Sequence, residues 1–576
     1  MRKSNYDKKP ATAVAGKLWQ GADNIVDTLM PLRESRRGLW VVECYPGVHH
    51  DELRELFGRL SPARFIDTAD LMRSPEEIAA MTHRYLTDDR LFGRRNWLDF
   101  PDFFDPAKTE TLNLDPEQFT IIYGHGAATL VKDPAVIIYA DMPRWEIQLR
   151  SRRHEISGIG VDDSAEAPSK QYKRGYFLDW QISDALKRRI MNRVDFWLDS
   201  TEAGTPKMID ADTFARGLDA TVARPFRVVP FFDPAPWGGQ WMKEVCGLDP
   251  EQENYGWCFD CVPEENSLYL NVGGTLFEMP SNNLVFGRTR PLLGAPVESR
   301  FGADFPIRFD FLDTIGGGNL SLQVHPTTQY IRETFGIPYT QDESYYLLDA
   351  QEGATVFLGL KTDTDPAEMI AALNHSQETG EPFDAEKFVN RWPASKHDHY
   401  LIPAGTIHCS GAGAMVLEIS ATPSIFTFKL YDWGRLGLDG LPRPINIGHG
   451  ANVIQWERRT DLIRSKFINQ VVPVAEGDGW KEERTGLHEN EFIETRRHWF
   501  TGTVPHNTGG GVNVFNVIEG DELIVESPTG AFEPFVVHYA ETFIVPAAVG
   551  DYTIRPHGPS VGKRCGTIKA FVRFHA

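Results

Sequence analysis

The stretch Leu322-Gln323-Val324-His325-Pro326 sets an amide and an imidazole two residues apart in a β-type context, so both side chains leave the same face of one strand. Further on, Glu343 heads the strand-like run Ser344-Tyr345-Tyr346-Leu347-Leu348, and His408 follows Leu401-Ile402-Pro403 and a glycine turn. Two imidazoles, one carboxylate and one amide oxygen suit a borderline divalent cation, zinc first, with manganese, cobalt and iron also compatible. The expected ligands are therefore Gln323, His325, Glu343 and His408, and only a folded sheet gathers positions so far apart. A lone Gln or His on a strand is ordinarily a satisfied polar residue. The combination of Gln-x-His-Pro, Asp-Glu before an aromatic strand, and Gly-Thr-Ile-His is what points to a metal.

The surroundings have the texture of sheets. From about Phe226 the chain alternates short apolar strands with turns such as Gly316-Gly317-Gly318-Asn319 and Ser410-Gly411-Ala412-Gly413, the pattern of a jelly roll or related barrel. The C-terminal part repeats that style through Asn513–Gly520, Glu522–Val525, Glu541–Pro546 and Gly550–Ile554, and reads as a second roll of cupin type. It offers no Gln-x-His or His-x-His pair with a placed Glu and His, so no metal is assigned to it, and His506 and His538 read as ordinary histidines.

Composition bounds the rest. A chain of 576 residues suggests about three domains. Its hydrophobic fraction of 41% is enough to fold without staples, and six scattered cysteines do not form a disulfide framework. Cys258-Phe259-Asp260-Cys261 has CxxC spacing but no second pair beside it. A formal net charge of −21 argues against nucleic acid as a partner, so a phosphorylated substrate must meet a local basic patch. The polar start Met1–Tyr6 and the lack of any apolar run near 18 residues make a soluble, cytoplasmic protein without a membrane partner the plain expectation. Oligomeric state is left open.

The N-terminal part differs. Gly38–Glu43, Phe119–Tyr123 and Val136–Tyr139 are apolar strands separated by amphipathic stretches, which predicts a parallel α/β sheet. The layout resembles small P-loop kinases of the nucleoside or uridine type, with Asp141-Met142-Pro143-Arg144 and the basic run Arg150-Ser151-Arg152-Arg153 where such folds carry a lid. A working phosphate loop needs GxxxxGK[ST]. Here the turn reads Glu43-Cys44-Tyr45-Pro46-Gly47-Val48-His49-His50-Asp51, without the Lys or the hydroxyl, so no kinase activity is expected. A structural or docking domain is the plainer reading, a regulatory ligand site using Lys187-Arg188-Arg189 or Arg150–Arg153 the sharper one. The expected division is 1–215 for a degenerate kinase-like domain, 216–445 for a metal-binding cupin domain and 446–576 for a cupin-like domain without metal.

The middle segment resembles class I mannose-6-phosphate isomerase, a zinc-dependent cupin enzyme. Pro236-Trp237-Gly238-Gly239 matches that family's opening motif, Phe305-Pro306-Ile307-Arg308-Phe309-Asp310 its approach to the metal strand, and Leu417-Glu418-Ile419 with Phe428–Arg435 its closing strings. The resemblance puts Gln323, His325, Glu343 and His408 on the family's four ligand positions, carries its catalytic arginine onto Arg435, and implies interconversion of mannose 6-phosphate and fructose 6-phosphate. One position departs: the family has Lys two residues before its ligand Glu, where this chain has Gln341. Gln341 can hydrogen-bond a substrate hydroxyl but brings no charge, a part that Lys429 or Arg308 could take.

Aldose–ketose isomerisation moves a proton between C1 and C2 through an enediol, and negative charge builds on oxygen. A divalent cation polarises that oxygen, and a guanidinium adds fixed positive charge, the role read for Arg435. Glu418 is the candidate base, with an outward structural carboxylate as the plain alternative. Trp237 and Trp433 could stack on a sugar, though core packing is the commoner fate of tryptophan. Two further functions fit the residues: a non-catalytic sugar-phosphate sensor, and an isomerase of a different or unphosphorylated sugar. An iron-dependent cupin oxygenase fits the amide ligand and the Tyr431–Arg435 string poorly.

Overall fold

A computed structural model describes residues 2–421, 425–436, 443–486, 488 and 491–574; Met1, where the polar start begins, lies outside them. They form two compact units. One comprises Ala11–Thr221 with Glu264–Arg288, the other Met1–Pro10, Val222–Pro263 and Thr289–Ala576.

The first unit is built on β1 (Leu39–Cys44), β2 (Arg64–Asp67), β3 (Thr120–Gly124), β4 (Val136–Asp141) and β5 (Phe196–Asp199), which run parallel in the order β2-β3-β1-β4-β5. β3 and β4 are buried at every position, which is why they read as unbroken apolar runs rather than alternating ones. Antiparallel strands Lys207–Asp210 and Leu18–Gln20 extend the sheet beyond β5. A hairpin of Ser267–Val272 and Thr275–Pro280 also belongs here, pairing in parallel with Ala11–Val14.

At the turn after β1 the chain satisfies itself. The buried Glu43 carboxylate accepts the backbone N–H groups of Gly126 (2.7 Å) and Ala128 (2.8 Å), and burial pushes its pKa up to about 8. One member of each basic run turns inward in the same way. Arg150 is buried and donates to Gly47 O, Ser200 O and Glu146, while Lys187 is buried against Asp141 at 2.7 Å. These two charges serve packing and are not displayed as a basic surface.

In the second unit, a six-stranded sheet runs β12 (His399–Ile402), β9 (Glu343–Ala350), β14 (Ala414–Ala421), β7 (Ile307–Asp313), β6 (Trp257–Cys261) and Phe231–Asp233. A five-stranded sheet runs β11 (Val389–Pro393), β10 (Thr355–Leu360), β13 (His408–Ser410), β8 (Leu322–Val324) and β15 (Phe428–Tyr431). β7, β8, β13 and β14 are buried throughout, so a solid core, rather than solvent, fixes the side chains near the site. A further pair of sheets, of six and four strands between Val472 and Val572, closes over Phe500, Phe515, Val525, Phe543 and Ile554. The protein is thus multidomain and mostly β. All six cysteines are free and buried, and burial raises the thiols of Cys258 and Cys261 well above the usual range, which leaves CxxC chemically quiet.

Candidate metal centre

Gln323 lies on β8, the middle strand between β13 and β15, and is paired in register with His408 on one side and Lys429 on the other. Cross-strand partners share a face, so one sheet presents the amide, one imidazole and a lysine together. His325 follows β8, and Glu343 reaches the same point from the other sheet, at the head of β9.

His325 Nε2 lies 3.1 Å from Glu343 Oε2, and His408 Nε2 lies 2.8 Å from Glu343 Oε1. Gln323 Nε2 is 3.3 Å from His408 Nε2, and a half turn of the amide presents its oxygen there instead. All four residues are buried. Among the described residues, His325, Glu343 and His408 are the one group of three or more His, Cys, Asp or Glu whose ligand atoms converge, all within 4.8 Å.

Hydrogen bonding supports a metal. His325 Nδ1 lies 3.2 Å from Phe426 O and His408 Nδ1 2.9 Å from Thr406 O, so each Nδ1–H donates to a carbonyl and each Nε2 lone pair is left inward. His325 Nε2 and Glu343 Oε1 are buried without a hydrogen bond despite their close neighbours, which leaves both free to take a shared cation. Burial alone would raise the Glu343 carboxyl, but the two imidazoles, when protonated in place of a bound cation, outweigh it and hold Glu343 well below the carboxylate range. The donor set fits a borderline divalent ion.

Gln341 Nε2 donates to Glu343 Oε2 at 2.8 Å and to Glu418 Oε1 at 3.1 Å, bridging the two carboxyls. Its Oε1 is buried and without a partner. Glu418, on β14 opposite Tyr345, is pushed well above the carboxylate range by burial and then by Glu343 and Asp310. Lys429 is brought down to about 7 by burial and by Arg443.

Arg435 donates from Nη2 to Asp432 Oδ1 at 2.7 Å and from Nε to Asp432 O at 3.2 Å. Trp433 and Gly434 are both left-handed, at φ 57° and 68°, which folds the chain back so that Arg435 reaches Asp432. A bulky residue in that region is strained, and its indole N–H is anchored on Leu320 O at 2.7 Å. Trp433 packs on Phe357 and Tyr431, and Trp237 is 1% exposed in the core. Arg308 pairs with Asp310 at 2.6 Å.

Sequence reasoning missed Asp432, Ser321 and Arg443. Asp432 accepts from Ser321 Oγ at 2.8 Å and pairs with Arg443 at 2.8 Å, so one carboxylate organises two guanidiniums. Ser321 stood next to the metal strand and was findable by position; Arg443 belongs to no motif. In the C-terminal roll, His506 stacks on Tyr552, and His538 lies 3.2 Å from Glu541.

A domain of unknown function, DUF8485, matches residues 21–223. YvyI of Bacillus subtilis strain 168, provisionally named a mannose-6-phosphate isomerase, is 25% identical over 345 residues, 58% of this chain and 96% of the relative. Mannose-6-phosphate isomerase of Streptococcus mutans is 29% identical over 222 residues, 38% of this chain and 64% of that one. The crystal structure of the mannose 6-phosphate isomerase from Bacillus subtilis superposes with a TM-score of 0.49 at 20% identity, covering 60% of this chain and 99% of that chain.

Proposed function

We propose that the chain is a metal-dependent aldose–ketose isomerase interconverting mannose 6-phosphate and fructose 6-phosphate. The observation that carries this is the convergence of Gln323, His325, Glu343 and His408, with inward lone pairs, beside the Gln341–Glu418 pair. The names of the relatives agree with it.

On this reading the four residues hold one divalent ion, zinc first, which supplies polarisation of the sugar's reacting oxygens. Glu418 takes the proton from one carbon and returns it to the next. Its burial, and then Glu343 and Asp310, raises its proton affinity above that of an ordinary carboxylate. Gln341 fixes Glu418 Oε1 and offers its unpartnered Oε1 to a substrate hydroxyl. Arg435, steadied by Asp432, faces the charge that builds on oxygen, and Lys429 is a second cationic contact for the substrate.

In domain terms, 1–215, apart from Met1–Pro10, is a degenerate nucleoside-kinase-like domain without kinase activity to which Glu264–Arg288 is added, the rest of 216–445 is the catalytic cupin, and 446–576 is a cupin-like domain without metal. Gln341 in place of the family's Lys is the one feature favouring the second reading, a sensor or an isomerase of an unphosphorylated sugar. Proton NMR in D2O tests the proposal: mannose 6-phosphate is converted, with deuterium entering at C1 or C2, and Glu418→Gln stops both. A zinc-loaded, folded protein that converts nothing overturns it.

A further inference from the structure

The first unit holds a cleft of about 180 Å³, open to solvent, between the turn after β1, helix Arg144–Arg152 and helix Pro168–Arg174. The isomerase reading makes no use of it.

Its floor is irregular in a telling way. Helix Pro168–Arg174 passes through a π-helical turn, Gly175–Asp179, into helix Trp180–Ile190, and Gly175, Asp179 and Trp180 all line the cleft. Such turns cost backbone regularity and recur where a helix has to place side chains for a ligand.

Two acceptors in the lining are left over. Gln171 donates from Nε2 to Ile156 O at 3.0 Å and to Asp163 O at 2.9 Å, which fixes the orientation of its amide. Its Oε1 is buried with no partner. Asp179, 3% exposed, spends Oδ2 on Ile159 N at 3.2 Å and Arg174 Nε at 3.1 Å, and its Oδ1 likewise has no partner. Buried acceptors without donors call for O–H or N–H groups from elsewhere. Ser151, Ser157 and Ser169 add hydroxyls to the lining, and Ile147 and Trp180 add an apolar wall.

The charges in the lining balance. Arg174 and Asp179 pair with each other, Arg152 lies over the Trp145 ring, and Asp163 accepts from Gly158 N at 2.7 Å. A dianion would therefore meet two carboxylates without a cation set aside for it, whereas an uncharged ligand rich in hydroxyls meets acceptors, hydroxyls and an apolar face.

We propose that this cleft binds an uncharged polyhydroxylated ring ligand, either a free sugar or the ribose of a nucleoside, through hydroxyl donors to Gln171 Oε1 and Asp179 Oδ1. This does not rest on the isomerase reading.

The test is calorimetric titration of the full-length protein with mannose, fructose and adenosine, and with mannose 6-phosphate as the charged comparator. His408→Ala serves as a background in which the metal centre is disabled. Saturable binding at a Kd of about 1 mM or tighter is expected, within reach of calorimetry. It should persist in His408→Ala and weaken at least tenfold in Gln171→Met, which removes an acceptor, and in Ser157→Trp, which fills the cleft. Binding by the sugars alone assigns the ligand to sugars, and binding by adenosine alone assigns it to nucleosides. The proposal is overturned if no uncharged ligand binds folded protein, if both cleft variants bind as the parent does, or if His408→Ala prefers mannose 6-phosphate.

Discussion

One amide of Gln341 ties the carboxylate of Glu343, a candidate metal ligand, at 2.8 Å, to the carboxyl of Glu418, at 3.1 Å. The two buried acids are kept apart by a neutral donor, where the resembling family has a lysine. Gln341→Leu removes both hydrogen bonds while keeping volume, and a loss of about 10–100-fold in activity or zinc affinity is expected, as for other residues that orient a ligand. Gln341→Lys puts an ammonium between the carboxyls and lowers the Glu418 pKa, so the acid limb of the kcat profile should move to lower pH. Unchanged kinetics in both variants would contradict the bridge.

Arg435 touches no predicted metal ligand; its hydrogen bonds go to Asp432. Arg435→Ala should lower kcat by about 10²–10³-fold, the usual cost of removing one fixed charge-stabilising donor, while zinc content measured by atomic absorption stays at one per chain. Loss of zinc along with activity would make Arg435 a structural residue of the centre.

Metal binding should register as stability. Zinc at a free concentration of about 100 Kd should add about 2.7 kcal/mol to unfolding of the second unit, and His408→Ala should abolish the increment. An equal increment in the variant would place the zinc elsewhere.

His399, buried on β12 with both ring nitrogens unpartnered, has its pKa lowered from 6.5 to about 3 by burial and by Arg497. The unfolded imidazole takes up a proton below pH 6.5 and the folded one does not, so stability fully present above pH 6.5 is lost as pH falls towards 3. Between pH 7 and pH 5 the protein should lose about 2 kcal/mol more than His399→Phe, in which all other titrations are shared. Parallel urea midpoints across that range would refute it.

All six thiols are buried, so a thiol reagent should leave the native protein untouched and titrate six groups in guanidinium. Fast reaction of Cys258 or Cys261 in the native state would reopen the CxxC motif.

The convergence of His325, Glu343 and His408 was legible because each sits in a short string whose residue types are individually odd for a core strand, and strand periodicity alone put Gln323 and His325 on one face. The parallel sheet was legible from the unbroken apolar strands. What stayed hidden depends on long-range pairing. Gln341 meets Glu418 only because β9 and β14 are neighbours, and Arg443 meets Asp432 with no local signal at all. Nor does any local pattern tell Ser267–Val272 to pair with Ala11–Val14, more than two hundred residues upstream. Burial inside the basic runs was hidden for a related reason: a sequence does not reveal that Arg150 and Lys187 turn inward onto carbonyls and Asp141.

The central claim meets its most direct test in a coupled assay of mannose 6-phosphate conversion, run on native, chelator-treated and zinc-restored protein. The account predicts turnover that chelation removes and zinc returns. Turnover indifferent to chelation, or none in zinc-loaded folded protein, would contradict it.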